Sequence, residues 1–380
     1  MRTYLDHNAT SPLRPEAIAA LLDAAEAPLG NASSLHAEGR AARARLELAR
    51  TQVASLAAVR PQDVVFTSGG SEAIAAAIRG LSDRAGSSRR IVVSAVEHSA
   101  VLDGATALAR AGFEIVEVPC ERSGRVDPGR FVEALAPGAA LAALQAANNE
   151  TGVIQPVVEA GAACRAAGIP FLVDAVQAAG KIPIEREAWC ADLLAISGHK
   201  LGGPQGTGAL VVRDGLALTP LIAGGAQERR RRGGTEAIIA LAAFGAAAAA
   251  AERDLPDEGP RLRALRRRLE DGLRDGAPSL EIHGAEVPRL PNTLNVGLPG
   301  VSGEMLVIAL DLAGVAASTG SACASGAALP SHVIRAMGYR DDEARSSVRF
   351  SLGWSTTDAD VDRLLDILPA VLARATMAGR

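Results

Sequence analysis

The chain has 380 residues, 48% of them hydrophobic, which is more than one core usually holds, so two domains or one large α/β domain with an appendage are expected. The formal net charge of −4 at pH 7 gives no support for nucleic acid or an anionic membrane as partner. MRTYLDHNAT at the N-terminus lacks the apolar core of a signal peptide, and the longest apolar run, 237–251, falls short of the roughly 20 residues that span a bilayer. The expectation is a soluble protein of the cytoplasm.

In chain order, the strand candidates are DVVFT (63–67), RIVVSA (90–95), FEIVEV (113–118), LAALQA (141–146), PFLVDA (170–175), DLLAIS (192–197) and GALVVR (208–213). Ala-rich amphipathic stretches fill most of the gaps between them. This alternation predicts βα units around a mainly parallel sheet. After Arg213 the rhythm changes. A long helix is expected over about 236–253, LPDEGP (255–260) reads as a break, and a second helix follows over about 261–275. Shorter strands are expected at 293–298 and 347–353, with helices near 303–312 and 358–374. The division is a large α/β domain over 12–255 and a smaller α+β domain over 1–11 and 256–380. The residues alone would let the N-terminal dozen join either.

Four cysteines, Cys120, Cys164, Cys190 and Cys323, have no CxxC or other metal spacing, so neither a metal site nor a disulfide framework is expected. The first three read as core filler. Cys323 is different, because STGSACASGAALPSHV (318–333) surrounds it with Ser, Ala and Gly. Either that loop is packed away, or it moves and the thiol does chemistry.

Five features carry the chemistry. FTSGGSEA (66–73) joins a strand to a helix, so Gly70 and Ser71 could hold a phosphate at the helix N-terminus or simply form a βα turn. Asp174 ends an apolar strand at the usual ligand crevice of an open α/β sheet, where it is either a helix cap or the partner of a cation such as a protonated pyridine nitrogen. Lys200 follows Asp174 by 26 positions, in SGHKLGG after another strand, and a desolvated lysine there can form a Schiff base. His98 also falls at a strand end, placed to stack on a flat ring or to move protons, and AANNETG (146–152) supplies Asn148 and Asn149. Arg349 alternates with Val348 and Phe350 on what reads as a half-buried strand, which fits a clamp on a carboxylate. One cofactor unites the set. Pyridoxal 5′-phosphate needs a lysine, an acid for its pyridine nitrogen, a stacking group and a phosphate cup. Lys200, Asp174, His98 and Gly70–Ser71 supply these in turn. The arginine runs 229–232 and 266–268 read as solvated faces.

With these residues assembled, the chain resembles the cysteine desulfurases of the class V aminotransferase family, fold-type I enzymes dependent on pyridoxal phosphate. The motifs are YLDHNATSPL (4–13), GNASSLHAEGR (30–40), FTSGGSEA, VEHSAVL (96–102), NNETGVIQP (148–156), DAVQ (174–177), SGHK (197–200), RRGGTEA (231–237), LPNTLNV (290–296), STGSACASG (318–326) and SVRFSLG (347–353), and they run through nearly the whole chain. The resemblance implies that Lys200 carries the cofactor, Asp174 meets the pyridine nitrogen, Gln177 contacts the ring hydroxyl with Asn149 close by, and His98 stacks on the ring. It implies phosphate contacts from Gly70, Ser71, Ser197 and His199, and from Thr235 across a homodimer. Arg349 and Asn149 would hold the carboxylate of L-cysteine, and Cys323 would take its sulfur as a persulfide for iron–sulfur cluster or other sulfur-containing cofactor biosynthesis, with a scaffold or other acceptor protein as partner. Other outcomes of the same fold are selenocysteine lysis, transamination, or a paralogue that binds the cofactor without turnover.

Overall fold

The computed structural model describes residues 2–28, 30–86, 88–320 and 329–378. A short strand β1 (Thr3–Tyr4) precedes helices α1 (Pro15–Glu26) and α2 (Ala37–Leu56). Then β2 (Val64–Thr67), α3 (Gly70–Ser82), β3 (Arg90–Ser94), α4 (Ser99–Ala109), β4 (Glu114–Val118), α5 (Pro128–Leu135), β5 (Leu141–Gln145), α6 (Val157–Ala167), β6 (Phe171–Asp174), β7 (Leu193–Ser197) and β8 (Gly208–Val212) build a seven-stranded sheet ordered β2-β8-β7-β6-β5-β3-β4. The pairs β7–β6, β6–β5, β5–β3 and β3–β4 are parallel, while β8 runs antiparallel to both neighbours. The chain is an α/β fold with a mainly parallel central sheet, as the alternation of strand and helix patterns predicts.

Burial on both faces explains the uninterrupted apolar runs. Successive side chains point to opposite sides of a strand. Thus Phe171, Val173, Leu194 and Ile196 join one core with α2 and α6, whereas Leu172, Leu193 and Ala195 join another with α3 and α4. The register sets Gln145 beside Asp174 and Asp174 beside Ala195, so the parallel strands end together along one edge.

Beyond β8 comes α7 (Ile238–Gly276), followed by β9 (Glu281–Ile282), β10 (Thr293–Gly297), α8 (Gly303–Leu312), β11 (Val315–Ala316), β12 (Ser318–Thr319), α9 (His332–Ala336), α10 (Asp341–Arg345), β13 (Ser347–Ser351) and α11 (Asp358–Ala378). An antiparallel sheet ordered β12-β13-β10-β9 packs on a third core that includes Leu5, Leu265, Leu310 and Leu364. β1 pairs with β11.

The expected break at 255–260 does not occur. α7 is a single helix of 39 residues that passes through Pro256 and Pro260. Each internal proline removes one hydrogen bond and costs about 3 kcal/mol. Two features offset this. Both prolines are exposed, so water can reach the carbonyls of Glu252 and Pro256 that lose their donors. The helix is also packed on either side, through Leu241, Phe244, Ala248 and Ala251 in one core and Leu262, Leu265 and Leu269 in another. Among the described residues no helix is long and apolar enough to cross a membrane.

Candidate active site

The strand-end edge gathers most of the residues singled out in the sequence. α3 starts at Gly70 behind Gly69, which contributes no side-chain cap, so its first amides are left to other acceptors. A Cβ added to Gly70 would lie 2.7 Å from Val176 Cγ2 and 4.0 Å from Ser197 Oγ, and one on Gly208 would lie 2.6 Å from the Gly69 backbone. The glycines thus let three loops close on one point, where Ser197 is buried and Ser71 exposed. His199 bonds Thr10 Oγ1 through Nδ1 at 3.2 Å, and burial, aided by Lys200 and Lys181, pulls its pKa down to about 4. It is therefore neutral at pH 7. Thr235 is exposed, three residues beyond Arg232, which pairs with Glu72 of the first turn of α3 at 2.9 Å.

Asp174 closes β6 and is only 6% exposed. Among the described residues its hydrogen-bond donor is the Val176 amide, at 2.9 Å. Burial raises its pKa, and the neighbouring His98 only partly offsets that. Lys200 also lowers the pKa, yet burial prevails, and a buried carboxyl in that state is stabilised by a protonated pyridine nitrogen. His98 caps α4, its Nδ1 accepting from the Ala100 amide at 3.1 Å. The ring is thereby fixed with its proton on Nε2, and burial lowers its pKa. Lys200 Nζ donates to the carbonyls of Asn8 at 2.5 Å and Ala9 at 2.7 Å, and Gln177 Nε2 donates to the same Asn8 carbonyl at 3.1 Å. Lysine, acid, imidazole and an uncapped helix start thus match what a flat, phosphorylated aromatic aldehyde requires, and the residues fit that group.

Arg349 is 1% exposed, so its strand is fully buried rather than half-buried as the alternation predicts. The cause is β12 and β10 flanking β13 on both edges, with α8 packed against it. Its guanidinium donates to Asn149 O at 3.0 Å and Asp6 Oδ1 at 2.7 Å, while Nε has no partner among the described residues. That spare donor, next to Asn149, suits a substrate carboxylate.

Cys323 lies outside the described residues. Those flanking it converge on one acid. Ser331 Oγ donates to Glu150 Oε2 at 2.5 Å, and a Cβ on Gly320 would lie 2.3 Å from the same oxygen. His332 Nε2 bonds the Glu97 carbonyl at 2.9 Å. Burial raises the thiol pKa of Cys120 to about 11 and of Cys164 to about 12, leaving both unreactive near neutrality.

Several functional neighbours escape a reading by residue type. Asp6, Asn8 and Ala9 come from the N-terminal segment, and their motif LDHNA was the only signal for them. Glu97 is completely buried, with Oε1 accepting from Ser94 Oγ at 2.6 Å and from the Gln145 amide at 2.9 Å. Burial lifts its pKa to about 8. His36, unassigned from the sequence, caps α2. Arg266 is not solvated as the run 266–268 suggests. It is 8% exposed, donates to Leu290 O at 2.6 Å, and has its pKa lowered to about 10 by burial.

A family model for class V aminotransferases matches residues 3–364. A cysteine desulfurase of Gluconacetobacter diazotrophicus is 43% identical over 373 residues, covering 98% of this chain and 93% of that relative. Among solved structures, the NifS-like protein of Rickettsia africae superposes with a TM-score of 0.88 at 32% identity, over 98% of this chain and 99% of its own. SspA in complex with cysteine superposes with a TM-score of 0.82 at 30% identity, over 92% of this chain and 98% of its own. With the matched motifs spread over both sheets, the chain belongs to the class V aminotransferase family, among relatives that are cysteine desulfurases.

Proposed function

We propose that the chain is a pyridoxal 5′-phosphate-dependent cysteine desulfurase, turning L-cysteine into L-alanine and leaving the sulfur on Cys323 as a persulfide. The observation that carries this reading is the meeting of Lys200 and Gln177 on one carbonyl beside buried Asp174, with Arg349 reaching in from the other sheet. Lys200 would bind the cofactor, Asp174 its pyridine nitrogen, Gln177 its ring oxygen with Asn149 nearby, and His98 its face. Gly70, Ser71, Ser197 and His199 would hold the phosphate. In a homodimer, Thr235 would reach the phosphate of the neighbouring subunit, a role its exposure supports. Residues 12–255 would form the cofactor-binding domain, and 1–11 with 256–380 the smaller one. The separate core around Leu5 and Leu265 supports that division.

When bound, the cofactor supplies an electron sink that makes the α-proton of an amino acid removable. Arg349 and Asn149 orient the substrate carboxylate, and Lys200 takes and returns the proton. The neutral His98 and His199 leave the negative charges of substrate and phosphate to Arg349, Lys200 and the α3 amides. The Cys323 thiolate then forms a bond to the substrate sulfur while the substrate Cβ–S bond breaks, its electron pair staying on carbon. Protons taken up at Cβ and Cα complete alanine, and the terminal sulfur leaves with an acceptor. In the cytoplasm that acceptor would serve iron–sulfur cluster or other sulfur-containing cofactor biosynthesis.

The test is release of sulfide and alanine from L-cysteine in the presence of a reductant, by the wild type and by Cys323→Ala, after bound cofactor has been established by visible absorption. Release of both by the wild type alone supports the proposal. Sulfide from the variant at the wild-type rate would overturn the role of Cys323.

A further inference from the structure

The turn after β6 delivers a third polar side chain, which the proposed chemistry leaves unused. Lys181 follows Asp174 and Gln177, and its Nζ donates to Gln177 Oε1 at 2.6 Å. Gly180 before it has φ +70, and a Cβ there would lie 2.8 Å from Leu201 Cδ2, so the turn presses against the residue after Lys200. Gln177 Nε2 meanwhile donates to the Asn8 carbonyl. These two contacts fix the amide by their chemistry. A carbonyl oxygen can only accept, so the nitrogen must face Asn8, and the oxygen is left to Lys181. Burial, with Lys200 and Arg349 nearby, pushes the Lys181 pKa well down, but an amine keeps N–H groups in either state. Gln177 therefore has its oxygen and one N–H engaged, and a single N–H to give.

We propose that Lys181 is a positioning residue that locks the Gln177 amide so that its remaining N–H is directed to the cofactor's ring oxygen. This rests on the proposed cofactor and on Gln177 as its ring contact, and is independent of cysteine as the substrate. Without Lys181 the amide is tethered through the Asn8 carbonyl alone and can swing about that contact, so its remaining N–H is no longer held toward the ring oxygen. A donated hydrogen bond favours the anionic form, so its loss lets the lysine-bound cofactor keep its proton to higher pH. Lys200, Arg349, His199 and His7 are the titratable and charged groups that interact with Lys181, and they stay unchanged in every variant below.

The experiment is a double-mutant cycle on the cofactor-loaded protein, read as the pH midpoint of its visible absorption band, with no turnover involved. Lys181→Met and Gln177→Ala should each raise the midpoint by about one pH unit, and the double variant should go no further than Gln177→Ala alone. If Lys181→Met shifts the midpoint as much without Gln177 as with it, or not at all, the positioning role is overturned, because the lysine then acts by charge alone or is inert. If Lys181→Met does not fold, Lys181→Ala completes the same cycle. A wild type with no visible band would overturn the cofactor reading and this role with it, whereas a normal band with an additive cycle would overturn this role alone.

Discussion

Glu228→Gln should destabilise the protein by about 3 kcal/mol, the low end of the cost of breaking a buried ion pair, because Arg50 keeps only a weaker contact with the more exposed Glu47 at 3.3 Å. Arg50 on α2 and Glu228 have side chains only 3% exposed, joined by contacts of 2.7 and 2.8 Å. Glu228 also accepts from the Phe66 amide at 2.9 Å, and Arg50 donates to Val64 O at 2.9 Å, so the pair ties α2, the edge strand β2 and the 227–230 turn together. Glutamine keeps the shape and removes the charge. The same turn holds Glu228, Arg229 and Arg230 at φ 46, 55 and 64, a left-handed run that costs about 1–2 kcal/mol per non-glycine residue. The ion pair is what holds that run in place. Two residues further on, Arg232 grips Glu72 beside Ser71, so loosening should spread to the phosphate cup. Urea unfolding of the apo-protein measures the stability loss, and cofactor titration should show affinity weakened about tenfold, equivalent to 1.4 kcal/mol. Arg50→Met with Glu228→Leu should recover only part of the stability, since an apolar pair replaces the buried charges but leaves the Phe66 amide and the Val64 carbonyl without their partners. A loss below about 1 kcal/mol for Glu228→Gln would refute the reasoning, because that is what a solvated pair contributes.

Two further outcomes follow from the same accounting. Arg230→Gly should stabilise the protein by about 1 kcal/mol in urea, because glycine adopts a positive φ without a Cβ clash; an unchanged or lowered midpoint would mean the run carries no strain. Glu97 has its pKa raised from 4.5 to about 8 by burial. The folded state therefore holds a proton that the unfolded state has released between those values. Its favourable contribution is complete below pH 4.5 and is lost as pH rises through 8. Glu97→Gln, which copies the neutral acid, should gain stability relative to the wild type as pH rises from 5 to 8, by up to about 4 kcal/mol. Parallel stability curves for the two proteins would show that Glu97 is ionised in the fold.

The central strands were legible because burial on both faces demands apolar runs, and β5, β6 and β7 are buried at every position and apolar at all but the last. Lys200, Asp174 and His98 were legible because polar residues at the ends of such runs have few other reasons to be there. Asn8 and Asp6 were not, since a short N-terminal segment acquires its place only when β1 pairs with β11, more than 300 residues away in sequence. The continuity of α7 was hidden for a similar reason. Local propensity at Pro256 and Pro260 opposes a helix, and only the contacts made further along each half overcome it. Lys181 carried no signal in the sequence, because its contact with Gln177 exists only once the turn at Gly180 folds it back.

The unbroken α7 has a mechanical consequence. At 1.5 Å per residue, its 39 residues form a rod about 58 Å long that is a structural member of both the parallel-sheet core and the antiparallel-sheet core. The antiparallel sheet brings Arg349 to the site, and the parallel sheet brings Lys200. Any change in the distance between them must bend this rod or unseat one of its ends. The two absent hydrogen bonds at Pro256 and Pro260 lie between the last contact with the first core, Ala251, and the first contact with the second, Leu262. Flexure of α7 is therefore cheapest over this one short span.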